Sequence, residues 1–225
     1  MNEGTLSIVA TPIGNLEDIT LRALRTLKEC DVIYAEDTRV IAKLLARYEI
    51  EKPLERLDAI VEGKKAGDVV ERLESGEHVV YVSDAGTPAV SDPGARLVEH
   101  VRSVAPTVRI EAIPGPSALT ALLSIAGLDA TGFVFLGFLP HKKGRQTALK
   151  TIAAGELPTV VYESPHRIEK LLAEAKSVGV HGIIVGRELT KMHEEVVSGT
   201  PEEVAEHFAK HPDRVRGEFV VILIP

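Results

Sequence analysis

The feature that most constrains the fold is a repeated alternation of short apolar runs with amphipathic helical stretches. Between the runs, leucines such as Leu21, Leu24 and Leu27 recur at helical spacing. Strands that alternate with helices are typical of βαβ units, which return each strand in the same direction. The sequence therefore predicts an α/β fold with mainly parallel sheets. The predicted strands lie at residues 6–9, 32–35, 78–82, 109–113, 133–136, 159–162, 182–187 and 218–224.

The alternation runs twice, and small, turn-forming residues at 127–132 separate the two runs. We therefore predict two αβα domains, residues 1–127 and residues 128–225. Helix-capping residues mark several helix starts. Asp18, Asp92 and Ser117 are predicted N-caps, with Pro93 at the first position of the helix that Asp92 begins, and Thr200 with Glu203 predicts a capping box.

Composition and charge exclude several classes of protein. The single cysteine, Cys30, rules out an internal disulfide and is predicted to be a small buried residue. No apolar run approaches the roughly 20 residues that span a bilayer, and the N-terminus does not resemble a signal peptide. A net charge of −7 disfavours nucleic-acid binding by bulk attraction. We expect a cytoplasmic protein without membrane contact.

Charged side chains nevertheless gather in a few places, and each group has two interpretations. The basic cluster either meets phosphates or forms a solvated helix face, and the mixed groups either touch a substrate or form surface ion pairs. The basic cluster is His141, Lys142, Lys143, Arg145 and Lys150, and the mixed groups are Glu36–Asp37–Arg39, Glu163–His166–Arg167 and Arg187–Glu188–Lys191.

The residues richest in chemical information follow the first four predicted strands. These loops read TPIGNL, EDTR, SDAGTP and PGPS, at residues 11–16, 36–39, 83–88 and 114–117. Open α/β sheets bind ligands beyond the carboxyl ends of their strands, so we expect all four loops on one edge. Gly86 permits close backbone approach, and Asp84 accepts hydrogen bonds. Plain turns are the alternative for any one loop.

Several familiar signatures are absent. No GxGxxG follows the first strand, and no GxxxxGK[ST] or GxSxG is present. The eight histidines are scattered without metal-ligand spacing. Nicotinamide, P-loop nucleotide, esterase and zinc sites therefore lose support, and we expect no metal.

The ordered motifs TPIGNLEDIT, AEDTR, VSDAGTPAVSDPG, IPGPSA, GFLP, YES-PHR and RELTK resemble the ribosomal RNA small subunit methyltransferase I family. That family belongs to the tetrapyrrole-methylase-like superfamily, and the resemblance runs from about Leu6 to Ile224. It implies S-adenosylmethionine in the interdomain cleft, a homodimer, and 2′-O-methylation of a cytidine in 16S ribosomal RNA. The cofactor contacts that it implies are Pro12, Asp84, Ala85, Gly86, Thr87, Ser117, Ala118, Tyr162, Glu163, Glu188, Leu189 and Gly217.

Methyl transfer from a sulfonium is an in-line displacement in which the protein mainly positions the two reacting atoms. A ribose hydroxyl is a poor nucleophile, so a base or a cation near its oxygen should help. Asp37, Glu163 and Lys191 are candidates for proton removal or orientation, and Arg39 for positioning phosphate or ribose. The small basic patch on an acidic chain predicts recognition of the assembled small ribosomal subunit.

Three other functions stay open. Two are methylation of a tetrapyrrole of the precorrin type and methylation of a modified protein residue of the diphthine type. The third is a cofactor-binding module without activity. It draws support from residues 57–64, where family members often carry His and Asn and this chain reads LDAIVEGK. Members that run on past the last strand carry a further helical segment, whereas this sequence ends at Pro225.

Overall fold

A computed structural model describes residues 4–58, 62–92, 94–128 and 131–225. The chain divides into two compact units, Met1–Ser117 and Ala118–Pro225. The division lies at the N-terminal end of the helix over residues 118–125, whereas the sequence places the joint just after that helix. This helix contacts the sheet of the second unit, which is why it groups with that unit.

The first unit alternates strands and helices throughout. Its five strands form one parallel sheet in the order β3-β2-β4-β1-β5, as the βαβ pattern predicts. The elements are β1 Thr5–Val9, α1 Leu21–Glu29, β2 Val32–Ala35, α2 Thr38–Arg47, β3 Leu54–Arg56, α3 Glu62–Glu74, β4 His78–Val82, α4 Gly94–Val104 and β5 Arg109–Ile113.

Two apolar clusters cover the two faces of this sheet. One packs α1 and α2 on the face that carries Val9, Ile33 and Val80. The other packs α3 and α4 on the face that carries Leu6 and Tyr34. Strands buried on both faces read as continuous apolar runs, which is why the sequence marks them clearly. The edge strand β3 (LER) has no such run, and the sequence prediction missed it.

Helix starts in this unit agree only in part with the sequence. The side chain of Asp92 accepts from the Gly94 N–H, as expected of the residue that caps α4. Pro93, predicted at the first position of that helix, lies outside the described residues. The Asp18 prediction is wrong, because Asp18 ends a short 3₁₀ turn and Thr20 caps α1 by accepting from the Ala23 N–H.

The second unit has a five-stranded sheet in the order β6-β7-β10-β8-β9. Its main core packs α6, α7 and α8 against one face of that sheet. The capping box of α8 between Thr200 and Glu203 is confirmed. The elements are α5 Ala118–Ile125, β6 Val134–Phe138, α6 Arg145–Ala153, β7 Thr159–Glu163, α7 Ile168–Val178, β8 Gly182–Arg187, β9 Glu195–Gly199, α8 Pro201–Lys210 and β10 Phe219–Ile224.

The prediction of mainly parallel strands fails in this second sheet. Only β6 and β7 pair in parallel, whereas β10 runs antiparallel to β7 and β8, and β9 antiparallel to β8. The segment between β8 and β9 is too short for a parallel crossover, which needs about a dozen residues, so β9 reverses. Helix α8 then returns the chain, so that β10 runs in the same direction as β9. In the sheet, β10 lies between β7 and β8, and both of these strands run antiparallel to it.

No described helix has the length and apolar character needed to cross a membrane. Among the described residues, no group of three or more His, Cys, Asp or Glu side chains is placed to hold a metal ion.

The single cysteine gives a direct test of the first core. Cys30 is fully buried, its thiol donates to the Leu27 carbonyl, and burial raises its pKa to about 11. Because the thiolate is the reactive form, only about a thousandth of the thiol is reactive at roughly pH 8. We expect a disulfide reagent to label the folded protein at least about 100-fold more slowly than the protein in guanidinium. Fast labelling of the folded chain would contradict this burial.

Candidate functional site

The first unit brings the loops after β1, β2, β4 and β5 to one edge of its sheet. All five strands of that sheet run in parallel, so every carboxyl end lies on the same side. The expectation of a shared edge is therefore confirmed for this unit. Gly86 and Pro12 are buried there, whereas Asp84 and Ala85 are exposed.

Backbone hydrogen bonds join three of these loops. Thr11 and Gly86 each donate an N–H to the other's carbonyl at 3.0 Å. Ala10 donates to the Ile113 carbonyl at 3.0 Å, which ties the end of β1 to the end of β5. The Thr87 hydroxyl donates to the Pro116 carbonyl at 3.1 Å. The loops therefore form one connected platform rather than separate turns.

Close packing at this platform explains two of its glycines. Gly86 has φ +77°, and a Cβ there would lie 3.2 Å from the Ile13 Cγ2. A Cβ on Gly94 would lie 2.7 Å from the Tyr81 ring, too close to be accommodated without movement. Ala89 and Ser91 also adopt left-handed backbone, at φ 69° and 73°, which is uncommon outside glycine. The Asp92 side chain helps to hold this segment by accepting from the Ala89 N–H at 2.8 Å.

Acidic side chains gather beside the platform. The Asp37 N–H donates to the Asp84 Oδ1 at 2.9 Å, which links the β2 and β4 loops. Burial, followed by the charges of Asp84 and Asp92, raises the pKa of Glu36. Partial desolvation of its carboxylate, followed by the charge of Asp37, likewise raises the pKa of Asp84, although much of this side chain is exposed. These neighbouring carboxylates give the edge a negative charge, which favours the binding of a cation.

Asp37 differs from its acidic neighbours because it has its own cation. Its carboxylate caps α2 by accepting from the Arg39 N–H at 2.9 Å, and it pairs with the Arg39 guanidinium at 2.6 Å. These hydrogen bonds from Arg39 lower the pKa of Asp37 to about 2. The Arg39 side chain is 88% exposed, so its outer face stays open to a ligand.

The predicted residues of the second unit meet at a different place, where β7 and β8 end on either side of Phe219. Glu163 lies at the end of β7, and its side chain is fully buried. Its Oε1 pairs with Arg167 at 2.6 Å, and its Oε2 pairs with Arg145 at 3.2 Å. Arg145, 2% exposed, also pairs with Glu174 at 2.6 Å. Glu163 therefore pairs with the buried Arg145 and the partly exposed Arg167. Arg145 does not belong to the exposed basic cluster predicted from the sequence.

After β8, Glu188 and Lys191 form a second ionic group. The Glu188 Oε1 accepts from the Lys191 Nζ at 2.8 Å and from the Glu218 N–H at 3.0 Å. Burial would lower the pKa of Lys191, but the hydrogen bonds that its Nζ donates to Glu188 and Glu218 outweigh this and raise that pKa. This raised pKa disfavours neutral Lys191, the form that accepts a proton. Gly217 lies directly against the Glu188 side chain, so a Cβ at position 217 would collide with the Glu188 carboxylate.

Each unit thus assembles its own part of the predicted site. Ser117 and Ala118 stand at the division between the units, at the start of α5. The edge of the first unit holds Pro12, Asp37, Arg39, Asp84, Ala85, Gly86 and Thr87, and the edge of the second holds Tyr162, Glu163, Glu188, Leu189, Lys191 and Gly217.

Sequence reasoning missed two features of the first edge. The Thr11 hydroxyl is buried and forms no hydrogen bond with the described residues. Glu36 was grouped with Asp37 and Arg39, yet its raised pKa sets it apart. The signal for Glu36 was its place directly after a buried strand. Of the divergent segment 57–64, residues 59–61 lie outside the described residues.

Comparison with known proteins finds matches over nearly the whole chain. Residues 5–205 match the family model of the tetrapyrrole (corrin/porphyrin) methylases. The ribosomal RNA small subunit methyltransferase I of Thermotoga maritima is 41% identical over 221 residues, 98% of each chain. The protein of that name from Neisseria meningitidis serogroup A is 44% identical over 225 residues, 99% of this chain and 76% of the relative.

A solved structure of uroporphyrin-III C-methyltransferase from Thermus thermophilus, complexed with S-adenosylhomocysteine, has the same fold. It matches with a TM-score of 0.65 and 22% identity over 98% of this chain and 96% of its own. At that identity the likeness speaks for the architecture alone. The full-length relatives at over 40% identity are more specific. The chain belongs to the tetrapyrrole methylases, and within them to the ribosomal RNA small subunit methyltransferase I family.

Proposed function

We propose that the protein transfers a methyl group from S-adenosylmethionine to the ribose 2′-oxygen of a cytidine in 16S ribosomal RNA. The observation that carries this proposal is the identity of 41% with a ribosomal RNA small subunit methyltransferase I over 98% of the chain. The acceptor is RNA in the assembled small subunit, so the reaction takes place in the cytoplasm. A homodimer stays a prediction from the family resemblance.

The edge of the first unit fits the cofactor. S-adenosylmethionine supplies an electrophilic methyl group on a sulfonium, and it carries an amino group as a second cation. The carboxylates of Glu36, Asp84 and Asp92 make that edge negative, which favours such a ligand. The buried Thr11 hydroxyl lacks a hydrogen-bond partner among described residues, and Gly86 lets the backbone approach closely.

Within this proposal, the cofactor contacts remain those implied by the family. On the first edge they are made by backbone and side chains of the connected platform, which hydrogen bonds already hold in place. In the second unit, Gly217 packs against the Glu188 carboxylate and leaves no room for a side chain there. The proposed contacts are Pro12, Asp84, Ala85, Gly86, Thr87, Ser117, Ala118, Tyr162, Glu163, Glu188, Leu189 and Gly217.

The environments of the charged groups narrow the choice of catalytic residues. Glu163 is fully buried between Arg145 and Arg167, which suits a structural role and not proton transfer. Lys191 has a raised pKa and stays protonated. Asp37 has a pKa of about 2, and a general base works best with a pKa near the operating pH. Asp37 and Arg39 therefore act as a positioning pair, with Arg39 oriented by Asp37 toward RNA phosphate or ribose.

The acceptor is tested by a competition for the methyl group. Labelled S-adenosylmethionine and the protein are incubated in one reaction with three acceptors: small ribosomal subunits, elongation factor and a tetrapyrrole. We expect label in 16S ribosomal RNA, at the 2′-oxygen of a cytidine, with a short free oligonucleotide labelled far less. Label in the tetrapyrrole or the elongation factor would overturn the proposed substrate, and no transfer at all would support a binding module.

Asp84→Asn separates stability from cofactor binding. The raised pKa means that the ionised carboxylate destabilises the fold once the pH exceeds the unfolded-state pKa. Asparagine keeps the acceptor for the Asp37 N–H but removes the charge. We expect Tm to rise by about 1 °C at neutral pH but not near pH 3, while S-adenosylmethionine binds about tenfold more weakly.

The matched control is Glu17→Gln, an exposed carboxylate of the first unit outside the acidic group. It should leave both Tm and cofactor affinity unchanged. A loss of stability in Asp84→Asn at neutral pH would contradict the repulsion, and undiminished calorimetric affinity would remove Asp84 from the cofactor site.

Asp37→Asn and Arg39→Ala test the positioning pair. If Asp37 orients Arg39, each variant should raise KM for small subunits about 3- to 10-fold with kcat within about twofold, since one charged contact is lost. The double variant should add little, because the two residues act together. A fall in kcat of about 100-fold in Asp37→Asn alone would instead identify a general base.

A further inference from the structure

The segment between β6 and α6, residues 139–144 (hereafter the basic loop), carries exposed basic side chains. His141, Lys142 and Lys143 are all exposed, and the two lysines form no ion pair with the described residues. Two exposed lysines on α7 and α8 do pair, Lys176 with Glu202 at 2.8 Å and Lys210 with Glu206 at 2.9 Å. The basic loop therefore concentrates uncompensated positive charge on a chain of net charge −7.

A buried ionic network holds both ends of this loop. At its start, the Arg167 Nη1 donates to the Leu139 carbonyl at 3.2 Å. At its end, Arg145 begins α6 and pairs through Nη2 with the Glu163 Oε2 at 3.2 Å. Glu163 also pairs with Arg167, so one buried carboxylate connects the two anchors. Buried charges are costly, and one attested reason to retain them is to fix a single geometry.

An exposed aromatic ring adjoins the loop. Phe138, the last residue of β6, is 54% exposed. Its ring centroid lies 5.7 Å from that of Tyr162, and the Arg167 guanidinium carbon lies 5.9 Å from its centre. The register shift between Phe135 and Gly137 turns Phe135 and Phe138 to the same face of the sheet as Tyr162. Tyr162 and Arg167 therefore lie against the ring, and about half of the Phe138 side chain stays exposed to solvent.

We propose that the basic loop and Phe138 form an RNA-contact surface, in which Lys142 and Lys143 bind backbone phosphates and Phe138 stacks on an unpaired base. Arg167, Arg145 and Glu163 are positioning residues for this surface. The pairing of free cations with an open ring is the pattern that single-stranded nucleic acid uses. An acidic protein would satisfy the lysines but would leave the ring without a flat partner. This inference rests on the proposed function and locates part of its RNA binding.

The first test is the double variant Lys142→Ala/Lys143→Ala in the full chain. The probe is a fluorescent single-stranded RNA oligonucleotide from 16S ribosomal RNA, titrated at several salt concentrations. Two lost phosphate contacts should weaken binding about 10- to 30-fold at roughly 0.1 M salt and flatten the log–log salt slope by about 1.4. With small subunits as substrate, KM should rise while kcat holds.

The matched control is Lys176→Ala/Lys210→Ala, which changes net charge equally at two exposed lysines of α7 and α8. It should bind RNA like the parent protein. If both double variants lose the same affinity, the effect is one of overall charge and the surface is refuted. If the first variant loses affinity for an acidic polyglutamate equally and its RNA salt slope is unchanged, the partner is an acidic protein and the proposal fails.

Phe138→Leu tests the ring separately. Leucine preserves apolar packing but offers no face for stacking, so RNA affinity should fall about tenfold with an unchanged salt slope. Thermal melting should match the parent within a few degrees, which distinguishes lost stacking from lost structure. Unaltered RNA affinity in Phe138→Leu would remove the ring from the surface.

Arg167→Lys tests positioning, since lysine keeps the charge but cannot contact Glu163, Ser164 and the Leu139 carbonyl together. RNA affinity should fall while the salt slope stays that of the parent, because the phosphate contacts are misplaced rather than removed. A slope that flattens by about 0.7 would mean that Arg167 itself binds phosphate, against a positioning role.

These outcomes separate the surface from the proposed function. If the parent protein methylates none of the offered acceptors, the RNA affinity of Lys142→Ala/Lys143→Ala still tests the RNA-contact surface, because the binding assay does not depend on methyl transfer. Should methylation of 16S ribosomal RNA be found while that variant binds RNA and small subunits normally, the function stands and the surface is wrong.

Discussion

The common direction of the five strands in the first unit is the constraint on which its candidate site depends. Because those strands are parallel, the loops after β1, β2, β4 and β5 leave the sheet on one side. Hydrogen bonds between Thr11 and Gly86, and between Asp37 and Asp84, then join loops that are far apart in sequence. The parallel direction of the strands places the loops together, and the hydrogen bonds then hold them in one platform.

Charge is used differently in the two units. At the first edge, Glu36 and Asp84 repel neighbouring carboxylates, and the raised pKa of each shows that ionisation is opposed by the fold. In the second unit, Glu163 is neutralised by Arg145 and Arg167, so its charge stabilises the backbone around β7. Unpaired charges are typical of ligand-binding sites, whereas a fully paired buried charge is typical of a structural ion pair.

Much of the fold follows from the apolar pattern. The buried strands β1, β2 and β4 were predicted almost to the residue because both faces are covered by helices. The edge strands β3 and β9 were missed, since each is partly exposed and lacks a continuous apolar run. The direction of β10 was also missed, because a short connection before β9 reverses the chain there, and strand direction leaves no mark in composition.

The sequence by itself determined the alternating architecture, the four loops of the first edge and the family, because these depend on local pattern and ordered motifs. Only the tertiary structure decided what individual charges do. Arg145 and Lys142 look alike in sequence, three residues apart, yet one is buried against Glu163 and the other is exposed and forms no ion pair within the described part of the chain. Burial and pairing depend on residues distant in the chain, and these set both the cost of a charge and its availability to a ligand.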